Sequence, residues 1–234
     1  MKNIKLYCDN KIFKYDGYTL RKGIKSFEQK GEGLESKVFK INNKVVFKVY
    51  KDSYEKDKIG KNMIEDLSEI DTNRIVLPNN IITDEEGNTK GYSMDYIEKS
   101  DDTIIDFPKK QLIDELSLLK EDLIELGENK VEIGDLRDEN TISNEESFYL
   151  IDCGDYLKRN KDTTQLNIKY FNEYIIDNVL TDIVFEESTD LLEGLRKLKD
   201  IRVYLNEGNY IGDYLEEEMN EEETINDFVK RIVK

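Results

Sequence analysis

The stretch Lys37-Val-Phe-Lys-Ile-Asn-Asn-Lys-Val-Val-Phe-Lys-Val-Tyr50 contains two runs rich in valine and aromatic residues, separated by two asparagines. This composition predicts two β-strands, 37–41 and 44–50, joined by a two-residue turn at Asn42-Asn43. Lys48 lies inside the second run, where a buried lysine requires an anionic partner. Alternation along a strand also permits the other arrangement, in which Lys48 faces solvent.

The segments on either side extend this pattern into a β-rich first half and a helical second half. We expect, in chain order, a hairpin of strands 4–8 and 11–15 around Asp9-Asn10, a helix over 54–70, strands 74–77 and 90–96 with a turn at 86–88, and helices over 109–126, 165–185 and 190–205. The acidic tail from Tyr214 onward is expected to form solvated helix rather than core. This order predicts an α+β fold with two lobes, 1–98 and 99–234.

The composition of the 234-residue chain argues against several classes of function. Its net charge of −17 disfavours binding to a nucleic-acid backbone, and its lack of histidine excludes histidine-based catalysis and the usual zinc sites. The two cysteines, Cys8 and Cys153, give no spacing typical of a disulfide framework. With no signal peptide and no membrane-spanning run, we expect a cytoplasmic protein without a membrane partner; export without a signal is an alternative that the sequence leaves open.

Four segments combine glycine, lysine and carboxylate side chains in a fixed order. They are Gly31-Glu-Gly33-Leu-Glu-Ser36-Lys-Val38, Val45-Val-Phe-Lys48-Val49, Ile133-Gly-Asp135-Leu-Arg137-Asp-Glu-Asn140 and Leu150-Ile-Asp152-Cys-Gly-Asp155. Glycines between strands allow backbone N–H groups to approach phosphates closely, and carboxylate and amide oxygens are ligands for Mg²⁺. Taken singly, each segment is equally typical of an ordinary turn or of a lysine that faces solvent.

In their order and spacing the four segments resemble the protein-kinase-like superfamily, in a compact bacterial type between eukaryotic-like protein kinases and aminoglycoside or choline kinases. Asn140 follows Asp135 by five residues, and Asp152 follows Asn140 by twelve. The resemblance implies a two-lobed protein-kinase-like fold with a β-rich, ATP-binding N-lobe and an abbreviated helical C-lobe that carries the catalytic loop.

The resemblance also implies a role for each candidate residue, with ATP and Mg²⁺ as cofactors. Lys48 would contact the phosphates and would be held by Glu65, with Glu69 as a competitor for that role. Asp135 would take the proton of the attacking hydroxyl, and Arg137 would lie near the γ-phosphate. The remaining roles are phosphate-loop contacts by Gly31, Gly33, Ser36 and Val38, adenine contacts by Met94 and the backbone of Asp95 and Ile97, and Mg²⁺ coordination by Asn140 and Asp152.

The implied function is ATP- and Mg-dependent transfer of the γ-phosphoryl group to an alcohol, in a minimal Ser/Thr-type protein kinase. Departures from the family pattern favour other outcomes: Ser36 replaces a glycine, Gly134 precedes the catalytic Asp, Cys153 replaces the phenylalanine of D-F-G, and no A-P-E triplet follows. One alternative is therefore a small-molecule kinase of the aminoglycoside or choline type, and the other is a nucleotide-binding pseudokinase with a regulatory role. The phosphate acceptor is either a protein or a small molecule.

Overall fold

The computed structural model describes residues 4–51, 59–100, 103–134, 136–188 and 190–233. The chain is an α+β protein, as expected, and divides into two compact units. The sheet unit comprises Met1–Asp71, Val76–Glu98 and Asp152–Asp155, and the helical unit comprises Thr72–Ile75, Lys99–Ile151 and Tyr156–Lys234. The expected lobes, 1–98 and 99–234, differ from these units by the two short segments 72–75 and 152–155.

The sheet unit contains a nine-stranded sheet with the strand order β4-β3-β2-β1-β8-β9-β7-β6-β5. Its strands are β1 Ile4–Cys8, β2 Lys11–Tyr15, β3 Leu20–Lys22, β4 Lys25–Ser26, β5 Glu28–Glu32, β6 Ser36–Lys40, β7 Val45–Tyr50, β8 Pro78–Thr83 and β9 Thr89–Asp95. Each neighbouring pair is antiparallel. Six of the eight pairs join consecutive strands, and the other two, β1–β8 and β7–β9, join strands that are not consecutive in the chain.

The first predicted hairpin is confirmed, and the second is confirmed with a longer turn. Between β1 and β2, Asp9 and Asn10 have φ angles of 45° and 56°, which suit a two-residue turn. Between β6 and β7, the Ile41 N–H donates to the Val45 carbonyl (3.0 Å), leaving three residues in the turn instead of two. The Asn42 side chain accepts from the Lys44 N–H (2.8 Å), a local turn that needs no positive φ.

The helix predicted over 54–70 is shorter at its start, because α1 spans Lys61–Ser68 with Gly60 as its N-cap. Residues 52–58 lie outside the part of the chain that the structure describes, so the beginning of that prediction falls there. Ile59 is buried but precedes the helix, while Ile64 and Leu67 form its buried face. The helical spacing of apolar residues therefore extends to Ile59, which lies before the first residue of the helix.

The strand predicted over 74–77 is wrong, since β8 begins only at Pro78. Within 74–77 only Ile75 makes an isolated bridge, to Leu150. The backbone N–H groups of Arg74 and Ile75 donate to the buried carboxylate of Asp122. These donors are therefore not available for hydrogen bonds to a neighbouring strand. The strand predicted over 90–96 is confirmed as β9, and the turn before it contains Gly87 at a φ of 83°.

The helical unit contains the longest helix, α2 Lys109–Glu128, in the position predicted for it. The predicted run 165–185 is one helical stretch interrupted by a π-helix, Ile175–Leu180. The other elements are β10 Val131–Glu132 paired with β13 Leu157–Lys158, β11 Thr141–Ser143 paired with β12 Phe148–Leu150, α3 Thr164–Tyr174, α4 Thr181–Glu187, α5 Leu191–Asn206, α6 Ile211–Glu218, α7 Ile225–Ile232 and 3₁₀ turns at Ile104–Asp106 and Asp138–Asn140. Among the helices described, none has the length and apolar character needed to cross a membrane.

The acidic tail is not the solvated element that the sequence predicts. The helices α6 and α7 bury Leu215, Ile225, Phe228 and Val229, while the glutamates of α6 are exposed. The N-terminus of α7 is closed by a capping box in which Thr224 and Asp227 exchange hydrogen bonds. The run of glutamates concealed the apolar face of α6 because the two patterns occupy different sides of that helix.

Candidate active site

Cross-strand registers in the sheet unit bring several predicted site residues to one face. Val38 on β6 lies opposite Lys48 on β7, and Lys48 lies opposite Tyr92 on β9. Two pairs along, and therefore on the same face, Val46 lies opposite Met94. Directly opposite residues project from the same face of a sheet, so Val38, Lys48 and Met94, predicted to contact ATP, lie on one surface.

Lys48 is a buried lysine with an anionic partner. Its residue is only 5 % exposed, and its ammonium group forms an ion pair with the Asp152 carboxylate. The same nitrogen lies 5.9 Å from the centre of the Tyr92 ring. The solvent-facing alternative for Lys48 is therefore wrong, and the arrangement with a partner holds, because an unpaired charge at such a position would be destabilising.

Asp152 has a backbone conformation that is uncommon for residues other than glycine, with a φ of 63°. Its Oδ1 accepts from the Gly154 N–H (3.1 Å) in addition to the ammonium group of Lys48. The side chain remains 37 % exposed, and its second carboxylate oxygen forms no hydrogen bond or ion pair with a described residue. One oxygen is thus fixed by the protein, and the other is available to a ligand.

Tyr92 and Cys153 form the buried floor beneath the ion pair, and the sequence analysis assigned neither of them to the site. The Cys153 thiol lies 3.6 Å from the Tyr92 hydroxyl, and both residues are almost fully buried. Burial raises the pKa of Cys153 to about 11 and raises the pKa of Tyr92 well above its ordinary value. Both groups are consequently neutral at pH 7, and the thiol is no nucleophile.

The glycine-containing turn is tighter than the sequence predicts. Gly31 lies within β5 opposite Val38, and the Gly33 N–H donates to the Ser36 carbonyl (3.0 Å). The Gly33 carbonyl accepts from the Lys51 ammonium group (2.7 Å). A methyl group added at Gly33 would meet no atom within 4 Å, so packing inside the protein does not explain a glycine there.

The expected ion pair between Lys48 and a glutamate of α1 does not occur in this structure. Glu65 is exposed and lies 3.5 Å from Lys61, one helical turn earlier. Glu69 is the exposed C-cap of α1 and forms no ion pair among the residues described. Asp152 is the carboxylate that pairs with Lys48 in place of Glu65.

The segment predicted to meet adenine begins at the end of β9 and continues beyond it. Met94 is 7 % exposed, and the Tyr96 N–H donates to the Lys44 carbonyl (2.9 Å). The Asp95 carboxylate accepts from the Asn79 side chain (2.8 Å). The Ile97 backbone has no hydrogen-bond partner within the described ranges, which leaves its donor and acceptor available.

The predicted catalytic loop belongs to the helical unit, and Asp135 itself lies outside the described residues. The Asn140 N–H donates to the Arg137 carbonyl (2.9 Å) and closes the 3₁₀ turn 138–140. The Ile151 N–H donates to the Asn140 carbonyl (2.8 Å), which ties this turn to the residue that precedes Asp152 in the chain. The Asp138 carboxylate accepts from the Tyr174 hydroxyl (3.1 Å).

A buried carboxylate that the sequence did not indicate holds residues 73–75, which lie beside β12. Asp122 on α2 is 1 % exposed and accepts from the backbone N–H groups of Asn73 (2.9 Å), Arg74 and Ile75 (3.0 Å). The Arg74 carbonyl in turn accepts from the Leu150 N–H (2.8 Å) at the end of β12. Asp122 thereby holds the segment against which the last strand before Asp152 is registered.

No protein-family model matches this chain, and a search of curated proteins finds no significant relative. Within the part of the chain that the structure describes, no group of three or more cysteine or carboxylate side chains could hold a metal ion without other ligands. The function of this chain is therefore inferred from the residues and the geometry of the site.

Proposed function

We propose that this protein is a phosphotransferase that binds Mg-ATP and transfers the γ-phosphoryl group to an alcohol, within a two-lobed protein-kinase-like fold. The observation that carries the proposal is the pairing of the buried Lys48 with the half-exposed Asp152, on the sheet face that also holds Val38 and Met94. The residues of β7 from Val46 to Tyr50 are all buried, so the strand offers Lys48 no solvent face. A lysine retained in the interior beside a half-exposed carboxylate suits the recognition of phosphate and metal together.

Nucleotide binding requires local positive charge, because the chain as a whole carries −17. Lys48 supplies that charge in a partly desolvated position, where it interacts more strongly with phosphate than it would in water. In the proposed complex, phosphate oxygens take over contacts that Lys48 now makes with Asp152. The apolar side chains of Val38, Val46 and Met94 on the same face would cover the adenine ring, and the Ile97 backbone would pair with its edge.

The donors present fit Mg²⁺. This ion prefers oxygen ligands and commonly binds through one or two protein groups, with substrate phosphates and water completing its shell. Asp152 has a carboxylate oxygen that forms no hydrogen bond or ion pair with a described residue, and Asn140 is the second proposed ligand. When bound, the ion supplies charge neutralisation for the phosphates. The absence of a larger carboxylate cluster among the described residues is consistent with such a shared shell.

The proposed reaction balances without a further co-reactant. The acceptor oxygen forms a bond to the γ-phosphorus while the bond from that phosphorus to the bridging oxygen of ADP breaks, and the electron pair stays on ADP. The hydroxyl proton passes to the Asp135 carboxylate, which acts as the base. Arg137 stabilises the charge on the transferred group through its permanently charged guanidinium.

The test is phosphoryl transfer from γ-labelled ATP to a bacterial lysate separated into protein and small-molecule fractions. Wild type is compared with Asp135→Asn and Asp152→Asn, and with Asp114→Asn, which removes an exposed carboxylate of α2. We expect labelled product with wild type and Asp114→Asn, and at least a 100-fold lower rate with the other two. Equal labelling by Asp135→Asn and wild type, or no transfer by wild type, would contradict the proposal.

A further inference from the structure

A cavity of about 360 Å³ in the helical unit lies beside the turn that follows the proposed catalytic Asp135. Asp138, at the start of this turn, lines the cavity together with Tyr174, whose hydroxyl donates to it. The volume lies at the lower end of the range found for small-molecule sites. We call this cavity the acidic pocket, for the reasons that follow.

One wall of the acidic pocket is formed at the π-helix Ile175–Leu180, through Asn178 and Val179. A π-turn is rare, and such turns occur frequently at functional sites. The Thr181 hydroxyl donates to the Ile176 carbonyl (2.6 Å), which also accepts from the Thr181 backbone N–H. The wide turn is thus held in place at the wall of the cavity.

The charges that line the acidic pocket are mainly negative. Asp182 and Glu186 lie one turn apart on α4, and neither has a cationic group within 4 Å in the described part of the chain. Like charges at this spacing destabilise a helix. Lys99 also lines the pocket and forms no ion pair with a described residue, so the balance remains acidic with Asp138 included.

Part of the lining of the acidic pocket is apolar. Ile104, Phe148 and Ile183 line it, and each is at most 4 % exposed. Apolar walls with a few convergent charged groups are typical of sites for organic molecules. The combination suits an alkyl or aryl group that ends in an ammonium or guanidinium, since carboxylates bind such cations through short, charge-assisted hydrogen bonds.

We propose that the acidic pocket binds the cationic group of the phosphate acceptor, which is a hydroxyl compound carrying an ammonium or guanidinium. This inference rests on the proposed function, which it extends by naming the substrate class. The cation could belong to a free amino alcohol or to a basic side chain near a serine or threonine in a protein. Asp182 and Glu186 are the positioning residues for that cation, and Asp138 forms the edge of the site nearest in sequence to the proposed base.

The test is calorimetric titration of the full-length protein without nucleotide. One probe is an aminosugar oligosaccharide, and the other is a serine peptide flanked by arginines. Each is compared with an uncharged counterpart, the N-acetylated sugar or the peptide with citrulline in place of arginine. We expect saturable binding of one cationic probe and at least a 20-fold weaker interaction with its uncharged counterpart; the probe that binds identifies the source of the cation.

Two protein variants separate the acidic pocket from the general negative charge of the chain. Asp182→Asn combined with Glu186→Gln is expected to raise the dissociation constant of the cationic probe at least 10-fold. The matched control, Glu216→Gln with Glu217→Gln on α6, removes the same charge from exposed positions and is expected to change it less than 2-fold. The first variant relieves repulsion on α4, so its melting temperature should equal or exceed that of wild type.

Several outcomes would overturn the inference without touching the proposed function. They are binding of neither cationic probe, equal binding of charged and uncharged probes, and an equal loss of affinity in both double variants. Because nucleotide is absent from this titration, a protein that binds Mg-ATP but no cationic probe would contradict only the acidic pocket. A protein that binds the cationic probe at Asp182 and Glu186 but never binds ATP would contradict the phosphotransferase and the assignment of the cation to a phosphate acceptor, whereas cation binding by the acidic pocket would stand.

Discussion

The ammonium group of Lys48 and the carboxylate of Asp152, 104 residues apart in the chain, form an ion pair at the buried face of β7. Both residues belong to the sheet unit, although Asp152 comes from a short segment that returns to it from the helical unit. The pair joins the second and the fourth of the segments that define the resemblance. The account of function depends on this contact more than on any single motif.

The ion pair predicts that Asp152, and not a glutamate of α1, controls the metal dependence of nucleotide binding. We expect Asp152→Asn to abolish the gain in ATP affinity that Mg²⁺ provides, because the amide is a poorer ligand for a hard cation. Glu65→Gln and Glu69→Gln should each change that affinity less than 2-fold, since both side chains are exposed and neither contacts Lys48. Fluorescence titration with a labelled ATP analogue, with and without Mg²⁺, checks this; a larger effect of Glu65→Gln would restore the helix glutamate as the partner.

Gly91 is predicted to be essential for the strand that carries Lys48. Its φ is 146°, and a methyl group there would lie 1.9 Å from the Lys48 carbonyl oxygen, a contact that the backbone must move to relieve. We expect Gly91→Ala to lower the free energy of unfolding by about 3 kcal/mol in urea denaturation.

Gly33→Ala is the matched control for this substitution, because the added methyl group would meet nothing within 4 Å. It should change stability by less than about 0.5 kcal/mol. If the glycine approaches phosphate as proposed, the same variant should weaken ATP binding several-fold. Equal destabilisation by the two substitutions would show that the β7–β9 packing described here is wrong.

Asp122 is predicted to be the most sensitive carboxylate of α2. Replacing it with asparagine leaves one oxygen for several backbone N–H groups and turns an amide toward them, so buried donors lose their acceptor. We expect Asp122→Asn to cost about 3 kcal/mol of stability by thermal unfolding monitored with circular dichroism. Asp114→Asn, on the exposed side of the same helix, should leave the melting temperature within a degree or two of wild type; similar losses for both variants would argue against the buried network.

The C-terminal helix is predicted to lose stability in acid through Glu223. Its carboxylate forms two hydrogen bonds with the Arg231 guanidinium, and this contact lowers its pKa to about 2 from 4.5. A lowered pKa stabilises the folded state above pH 4.5, and the contribution is lost as the pH falls toward 2. We expect Glu223→Gln to cost about 1–2 kcal/mol at pH 7 and progressively less below pH 4.5.

Urea denaturation between pH 7 and pH 2.5 measures this contribution, with Glu222→Gln as the control for removing an exposed charge next in sequence. The stability difference between wild type and Glu223→Gln should shrink with acid, whereas Glu222→Gln should differ little from wild type throughout. A difference that stays constant down to pH 2.5 would mean that Glu223 acts through packing and not through its charge.

Local sequence patterns predicted the elements whose stabilisation is local. The hairpin at Asp9-Asn10 depends on two residues that tolerate positive φ, and α2 depends on a long apolar stripe, so both were predictable. Contacts between segments that are distant in the chain were not predictable from these patterns. Nothing near residues 73–75 indicates that Asp122 would take their N–H groups, and a strand was predicted there instead.

In the candidate site, too, some residues could be predicted from the sequence, whereas contacts between distant segments could not. The order of the segments placed Lys48 and Asp152 in one candidate site, but the resemblance implied Glu65 as the ion-pair partner of Lys48. A sequence pattern cannot show which carboxylate reaches the buried Lys48. Tyr92 and Cys153 were missed since their part in the site is burial, which carries no motif. The acidic pocket arises from a π-turn and from separate helices, and no spacing in the sequence indicates it.

The most direct test of the central claim is isothermal titration of the purified protein with ATP in the presence and absence of Mg²⁺. Lys48→Met is the test variant, and Lys44→Met, which removes an exposed charge from the same hairpin, is its control. The account predicts saturable, Mg-dependent binding to wild type and Lys44→Met, and at least a 10-fold loss of affinity in a folded Lys48→Met protein. No binding to wild type at millimolar ATP, or equal affinity of the Lys48→Met and wild-type proteins, would contradict it.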